Sequence, residues 1–303
     1  MSYKNLDHSR SVPQILKYFS CIKIHIRVRY QHMAEKFEHK KSLGQHFLNS
    51  DYAPKKMCAA ANLERGEVVL EIGPGTGALT REILDQGGRV IALEADLRAI
   101  ESLESTFATE IASGQLTIHH GDARQIDFQA LGLEEYEYKV ISNIPYYISG
   151  LLFRSLLESP CQPKTLVFLV QKEVASRIAR DKKESLLSLS IKIFGNPTYI
   201  CTVGRGHFTP PPKVDSAIIA ISDITRQKLA FIPQKTFFEI LHLGFGQKRK
   251  QLIGNLSDSY PRSELATILT TLNLSQTVRA EDISVTKWVQ LIEMLLSTKI
   301  SPD

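Results

Sequence analysis

The residues Val68-Val69-Leu70-Glu71-Ile72 run directly into Gly73-Pro74-Gly75-Thr76-Gly77, and a helix-like stretch begins at Ala78. This junction restricts the fold more than any other feature, because glycine admits positive φ and lets a ligand approach the backbone where a helix begins. A second apolar run, Arg89–Glu94, follows the helix, and a further helix is expected over residues 95–112. Strands are expected at Leu116–His120, at residues 138–142 and at Thr165–Gln171. Strands alternating with helices predict an α/β domain with a parallel, doubly wound sheet and ligands at the carboxyl ends of its strands.

Beyond Pro210-Pro211-Pro212 a short strand is expected over residues 217–221. After Asp223, Phe237, Phe238, Ile240 and Leu241, and later Leu265, Ile268, Leu269 and Leu272, recur at helical spacing. The change of period puts a boundary near Ile224, with the α/β domain over residues 39–223 and a smaller helical domain over residues 224–303. Residues 1–38 show no sustained helical period and are expected to form a basic, mobile extension, with Met33 as a candidate natural start.

Charge is divided along the chain. Residues 1–42 hold nine Lys/Arg against three Asp/Glu, residues 64–158 seven against sixteen, and residues 159–255 fifteen against six. A polyanion is repelled by the middle block and drawn to the others, the asymmetry expected when one region holds a small ligand and another grips a phosphate backbone. Two solvated faces of opposite sign are the other reading. With 43% hydrophobic and 23% charged residues, the chain is not disordered as a whole. No apolar run approaches the roughly 18 residues of a spanning helix, and no secretory signal is visible, so a cytoplasmic protein away from membranes is expected. Cys21, Cys58, Cys161 and Cys201 lack C-x-x-C spacing and read as reduced thiols.

A G-x-G-x-G turn differs from the G-x-G-x-x-G that seats a pyrophosphate. With Glu71 at the strand end, it suits a cationic amino-acid group better. Glu94 closes the second strand 21 residues after Gly73, where a carboxylate can accept both hydroxyls of a ribose. Asp122, in Gly121-Asp122-Ala123, is placed to accept from the exocyclic amine of an adenine. These strand ends describe a pocket for a nucleoside with a charged tail and no phosphate, which fits S-adenosylmethionine better than NAD or ATP.

The fourth strand ends in Ser142-Asn143-Ile144-Pro145-Tyr146-Tyr147-Ile148-Ser149. An exocyclic aromatic amine is a poor nucleophile because its lone pair is delocalised, so a methylase holds its hydrogens on neutral acceptors that favour a pyramidal nitrogen. The Asn143 side-chain oxygen and the Ile144 carbonyl are such acceptors, Pro145 fixes the turn, and Tyr146 can stack on the base. No strong base is needed, because the proton becomes acidic once the methyl group has transferred.

The chain resembles the ribosomal RNA adenine N6,N6-dimethyltransferase family, most closely its small-subunit branch. The resemblance runs from Leu43 to about Leu296. It rests on Leu43-Gly44-Gln45-His46-Phe47-Leu48, the glycine turn, the stretch from Asn143 to Ser149, Val170-Gln171-Lys172-Glu173-Val174, and Phe208-Thr209-Pro210-Pro211-Pro212-Lys213-Val214-Asp215-Ser216. It implies a class I, Rossmann-like S-adenosylmethionine-dependent methyltransferase with a helical RNA-binding domain. The implied reaction is methylation of two adjacent adenines in a terminal hairpin loop of small-subunit rRNA within a ribosome assembly intermediate. His46 and Leu48 then match a lid over the cofactor, Gly73 its glycine loop, Glu94 the ribose acceptor and Asp122 the adenine acceptor. Asn143 lies between cofactor and target base. Phe208 matches an aromatic closing on a flipped adenine opposite Tyr146, since N6 is otherwise unreachable in a stacked loop. The chain departs from the pattern at His46, where many members of the family carry Asn, and at Tyr147, where some do.

Gly246-Gln247-Lys248-Arg249-Lys250 resembles the family's basic helix start, and a helix start disfavours cations unless they serve a polyanion, so Lys248, Arg249 and Lys250 are expected to contact RNA phosphates. Lys182 and Lys183 are read either as RNA contacts or as a solvated loop, and Trp288 as core. His119 and His120 lack a partnered Cys, so no metal is expected, and the protein is expected to act as a monomer. Two other functions share these motifs: a large-subunit rRNA methylase conferring macrolide resistance, and an assembly or transcription factor on a methylase scaffold. The triple proline and the basic cluster favour the small-subunit branch, and intact Glu94, Asp122 and Asn143 argue against a dead site. A basic N-terminus is also compatible with an organellar transit peptide.

Overall fold

The computed structural model describes residues 46–298. The expected extension over residues 1–38, with Cys21 and Met33, and Leu43-Gly44-Gln45 of the first motif lie outside the described residues. β1 (Phe47–Leu48) and α1 (Tyr52–Ala60) lead into β2 (Val68–Ile72), α2 (Ala78–Asp85), β3 (Arg89–Glu94), α3 (Leu97–Thr106), α4 (Ala108–Ala112) and β4 (Leu116–His120). β5 (Tyr138–Asn143), α5 (Ser149–Leu157), β6 (Thr165–Gln171), α6 (Lys172–Ala179) and α7 (Leu186–Lys192) follow. β7 (Asn196–Val203), β8 (Phe208–Thr209) and β9 (Ser216–Ser222) end the sheet region, and α8 (Gln234–Gly244), α9 (Leu252–Leu256), α10 (Arg262–Thr271) and α11 (Val285–Thr298) close the chain.

Seven strands form one sheet in the order β4-β3-β2-β5-β6-β9-β7, and β1 pairs with β8 in a separate ribbon. The first five strands of the order are parallel, but β9 runs antiparallel to both β6 and β7. The expected parallel sheet therefore carries one reversed strand, β9, beside its β7 edge. The link from β7 to β9 contains no α-helix, and a parallel return needs a long crossover, usually helical. The helix expected over residues 95–112 is broken at Phe107, whose backbone leaves the helical region at φ −116°, ψ 27°. Phe107 is buried, with the Arg81 guanidinium 4.6 Å from its ring centroid.

Successive side chains of a strand point to opposite faces, and the core divides on that period. Leu70, Ile72, Val140, Leu166, Phe168 and Ile219 face one apolar layer. Val69, Ile141, Val167, Leu169 and Ile218 face the other, against α1, α2 and α3. Strands covered on both faces read as near-continuous apolar runs, as residues 166–170 of β6 and 217–221 of β9 do, while β2 carries Glu71 and β5 carries Lys139 and Ser142 within the run.

The first layer continues without interruption into the C-terminal helices through Ile224, Leu229, Phe237 and Phe238 to Trp288. Phe194 and Phe238 rings meet at 6.1 Å across this junction. Lys183 is paired with Glu281 and Asp282, and Glu184 N donates to the Glu281 carbonyl at 2.7 Å. Lys183 therefore ties the loop before α7 to the C-terminal helical region. Among the described residues no helix is long and apolar enough to cross a membrane.

Gly244 ends α8 beneath Trp288, and a Cβ there would lie 2.3 Å from Trp288 Cη2 and 3.1 Å from Leu252 Cδ1. Overpacking of this kind costs about 1–3 kcal/mol, against at most about 1 kcal/mol from the better helix propensity of alanine. Gly244→Ala is expected to lower the urea midpoint without changing the m-value.

Candidate active site

β2 and β5 pair only as far as Leu70 and Val140. Beyond that point the strands part, because successive strands are added on opposite sides of this pair, the switch point where open α/β sheets bind ligands. Ile72 N donates across the opening to Ser142 Oγ at 2.8 Å, and Ser142 is fully buried. The opening leads into a cavity of about 600 Å³, within the range of small-molecule sites.

The glycine turn forms one side. Gly73 has φ +67°, and a Cβ placed on it would meet nothing within 4 Å, so its backbone is open where it lines the cavity. Gly75 has φ +57°, and a Cβ there would strike the Phe47 ring at 2.8 Å. Glu94 also lines the cavity. Its Oε2 accepts from Gly75 N at 3.2 Å, and its Oε1 accepts from Ala95 N at 2.8 Å and Asp96 N at 2.9 Å. One carboxylate thus fixes both the glycine turn and the backbone after β3.

Glu71 is not in the cavity wall. It is buried, and Thr80 Oγ1 of α2 donates to its Oε2 at 2.7 Å. The expected role beside a cationic group is not what the structure shows: Glu71 is an internal link from β2 to α2, because its side chain turns toward Thr80 and away from the cavity. Burial pushes its carboxyl up to about 8, the Glu94 charge adds to the rise, and the Thr80 hydroxyl opposes it.

Asp122 lines the cavity as expected, yet it is the partner of Arg124. Its Oδ1 accepts from Arg124 N at 2.9 Å and Nε at 3.0 Å, and its Oδ2 from Nη2 at 2.5 Å. These bonds hold the carboxyl below its usual range.

The opposite wall is the end of β5. Asn143, Ile144, Pro145 and Tyr146 all line the cavity. Asn143 Nδ2 donates to the His46 carbonyl at 3.1 Å. That partner can only accept, so the amide is held with its nitrogen on the β1 side and Oδ1 is left as the free acceptor. His46 Nδ1 donates to the Pro210 carbonyl at 2.9 Å, and its ring stacks on Tyr146 with centroids 5.8 Å apart. Leu48 and Phe208 are absent from the wall. They face each other across the β1–β8 ribbon, 4% and 2% exposed, in the second apolar layer. The aromatic set beside Tyr146 is therefore His46, while Phe208 is core.

Phe47, between the two residues expected from its motif, lines the cavity together with His46, and Leu48 does not. Ser142 was also not singled out, and a lone serine in an apolar run gives no signal of its bond. Lys248, Arg249 and Lys250 are not at a helix start: α9 begins only at Leu252 behind Gln251, and the three stand in the turn after α8. No helix N-terminus therefore acts on the three side chains, and Lys248 and Arg249 are exposed. Among the described residues no group of three or more His, Cys, Asp or Glu could hold a metal ion.

A mostly parallel sheet with this glycine turn, an acidic end to β3 and an Asn-Ile-Pro-Tyr end to β5 defines a class I methyltransferase. Residues 36–297 match the family described as ribosomal RNA adenine dimethylase. The chain is 36% identical over 255 residues to ribosomal RNA small subunit methyltransferase A of Dehalococcoides mccartyi strain CBDB1, covering 83% of this chain and 87% of that protein. It is 34% identical over 269 residues to the protein of the same name from Acaryochloris marina, covering 86% and 98%. Among solved structures, a dimethyladenosine transferase from Plasmodium falciparum superposes with a TM-score of 0.71 at 26% identity, covering 84% of this chain and 99% of that one. The 23S rRNA methyltransferase ErmE superposes with a TM-score of 0.66 at 24% identity, covering 82% and 99%, a likeness of fold. The chain belongs to the ribosomal RNA adenine dimethylase family and is an rRNA adenine dimethyltransferase.

The family implies S-adenosylmethionine as methyl donor, and the residues present fit it. The open backbone at Gly73 leaves room against the turn, and Glu94 offers a buried carboxylate for hydroxyl groups.

Glu71 has a raised carboxyl pKa in the fold and an ordinary one, near 4.5, once unfolded. Its contribution to stability is full below about 4.5 and is lost as pH rises toward about 8. Glu71→Gln is expected to flatten the fall in stability across that window, read from urea midpoints measured at each pH. A slope unchanged from the parent protein contradicts the burial account.

Proposed function

We propose that the enzyme dimethylates N6 of two adjacent adenines in a terminal hairpin loop of small-subunit rRNA, acting as a monomer in the cytoplasm on a ribosome assembly intermediate. The observation that carries the chemistry is the fixed amide of Asn143, whose Oδ1 remains free beside Ile144 and Tyr146 in the wall that faces Gly73 and Glu94. The relatives named for the small subunit support that choice of RNA.

Bound in the cavity, S-adenosylmethionine supplies an electrophilic methyl group. His46, Gly73, Glu94, Asp122 and Asn143 hold it, with Glu94 accepting from the ribose. Asp122 accepts from the adenine amine only where Arg124 yields one of its bonds. Asn143 Oδ1 and the Ile144 carbonyl accept the N6 hydrogens of the target adenine and draw its lone pair out of the ring. Pro145 sets the turn and Tyr146 stacks on the base, which leaves the RNA stack to reach the cavity. The proton of N6 passes to water after transfer. Leu48 and Phe208 act through the β1–β8 ribbon that backs this wall.

Residues 39–223 form the catalytic domain in this reading, and residues 224–303 serve RNA binding. In support, no residue of α8–α11 contributes to the cavity wall.

Asn143→Ala is expected to lower the methylation rate at least about tenfold by removing one acceptor from a buried polar contact, with cofactor binding retained more fully than in Glu94→Ala. Mass spectrometry of small-subunit rRNA fragments and calorimetry with S-adenosylmethionine read the two effects. Dimethyladenine at parental levels with Asn143→Ala refutes the assignment, and modification found only on large-subunit rRNA refutes the substrate.

Lys248, Arg249 and Lys250 are proposed as phosphate contacts on the charge of their block, without a helix dipole. Replacing all three by Ala is expected to reduce the slope of log affinity against log salt by about 2 to 3, at roughly 0.7 to 0.9 per contact. A filter-binding titration measures the slope, and one identical to the parent protein shows that the cluster is a solvated turn.

A further inference from the structure

The stretch from Lys213 to Ser216 carries part of the family resemblance, yet the reaction described above uses none of it. Ser216 is the first residue of β9, inserted between two neighbours: it pairs with Gln171 of β6 and with Val203 of β7. It is 0% exposed and is followed by Ala217, Ile218 and Ile219, all buried. A hydroxyl in such a place costs free energy unless it finds a partner. Its partner is the phenol of Tyr146, 2.6 Å away across 70 residues of sequence.

Tyr146 begins the one-turn 3-10 helix that follows Pro145. Its carbonyl accepts from Ser149 Oγ at 2.9 Å, which fixes the near end of the residue, while the bond to Ser216 fixes the far end of the ring. The remaining freedom of a tyrosine lies in two side-chain torsions, and a hydrogen bond at the tip removes most of it. Tyr147, on the same turn, has no such anchor in the sheet and is 67% exposed. Burial also keeps the Tyr146 phenol neutral by pushing its pKa up.

We propose that Ser216 is a positioning residue for methylation: through its hydroxyl it sets the plane of the Tyr146 ring against which the target adenine stacks. Stacking depends on the tilt of both planes, so a ring anchored to a strand that is paired on both sides presents one orientation to each base that enters. The proposal rests on the reading of Tyr146 as the stacking residue, and the test separates the two.

In the full chain, with a small-subunit assembly intermediate as substrate, Ser216→Ala and Tyr146→Phe each remove the same bond from opposite ends. Each is expected to lower kcat/KM for RNA by about 3- to 10-fold, the worth of one net hydrogen bond, with the affinity for S-adenosylmethionine unchanged. The double variant Ser216→Ala/Tyr146→Phe is expected to be no slower than the slower single variant, since a bond can be lost only once. A general structural effect of Ser216→Ala would multiply with Tyr146→Phe instead, and that outcome overturns the proposal. Parental kcat/KM in Tyr146→Phe also overturns it, and this variant decides alone if Ser216→Ala proves unstable. Tyr146→Ala tests the underlying reading: if it methylates at the parental rate, stacking on Tyr146 is wrong, whereas a loss there beside intact Tyr146→Phe rejects Ser216 alone.

Discussion

The site exists because β2 and β5 stop pairing at Leu70 and Val140. Two parallel strands that part leave backbone groups without partners, and an orphaned amide in an apolar layer costs as much as a lost hydrogen bond. Ser142 meets that cost by accepting from Ile72 N with its side chain. The sheet can therefore open at its carboxyl end while its apolar layers remain continuous below. Glycine turn, acidic strand end and Asn-Ile-Pro-Tyr stretch all sit on the two sides of that opening.

The charges of the site follow from the same geometry. Glu71, next to the last residue of β2, and Glu94, the last of β3, lie on neighbouring strands, one turned into the protein and one lining the cavity. Burial raises the carboxyl pKa of Glu71 to about 8, and the Glu94 charge contributes. Near neutral pH the inner carboxyl is thus held mainly in its protonated form, next to Thr80, so two negative charges do not compete behind the glycine turn. Glu94 keeps bonds to three backbone amides. The turn is shaped by a carboxylate that lines the cavity, so a change at Glu94 alters the glycine turn as well as the cavity wall.

The strands buried on both faces are legible in the sequence because apolar residues dominate them, with only Glu71 in β2 and Lys139 and Ser142 in β5 interrupting. β7 is not. It is an edge strand of mixed polarity with Pro197 near its start, a residue tolerated there because one side needs no ladder bond. α1, with a first turn of Tyr52, Ala53 and Pro54, also escaped notice. Site residues at strand ends were legible as types: Gly73, Glu94, Asp122 and Asn143 all line the cavity. Which way a side chain turns was not, and Glu71, Leu48 and Phe208 show it, since each lies within a motif but points into a core or an internal contact. Lys248, Arg249 and Lys250 show the matching failure for boundaries, where Gln251 separates the cluster from the start of α9 at Leu252.

The β1–β8 ribbon joins segments that are far apart in sequence, and its smallness explains its effect. Two residues on each side give little pairing of their own, so the ribbon depends on Leu48 and Phe208 entering the second apolar layer. Once they do, His46 is left at its edge, bonded through its ring to Pro210 and through its carbonyl to Asn143. An unattached amide can present either its oxygen or its nitrogen to a base with little difference in energy. The His46 carbonyl removes that choice, because turning the amide over would set two acceptors against each other. The polarity presented at Asn143, the one the proposed contact with an adenine amine calls for, is thus set by a backbone group 97 residues away in sequence, next to a ribbon whose Leu48 and Phe208 are buried in the second apolar layer.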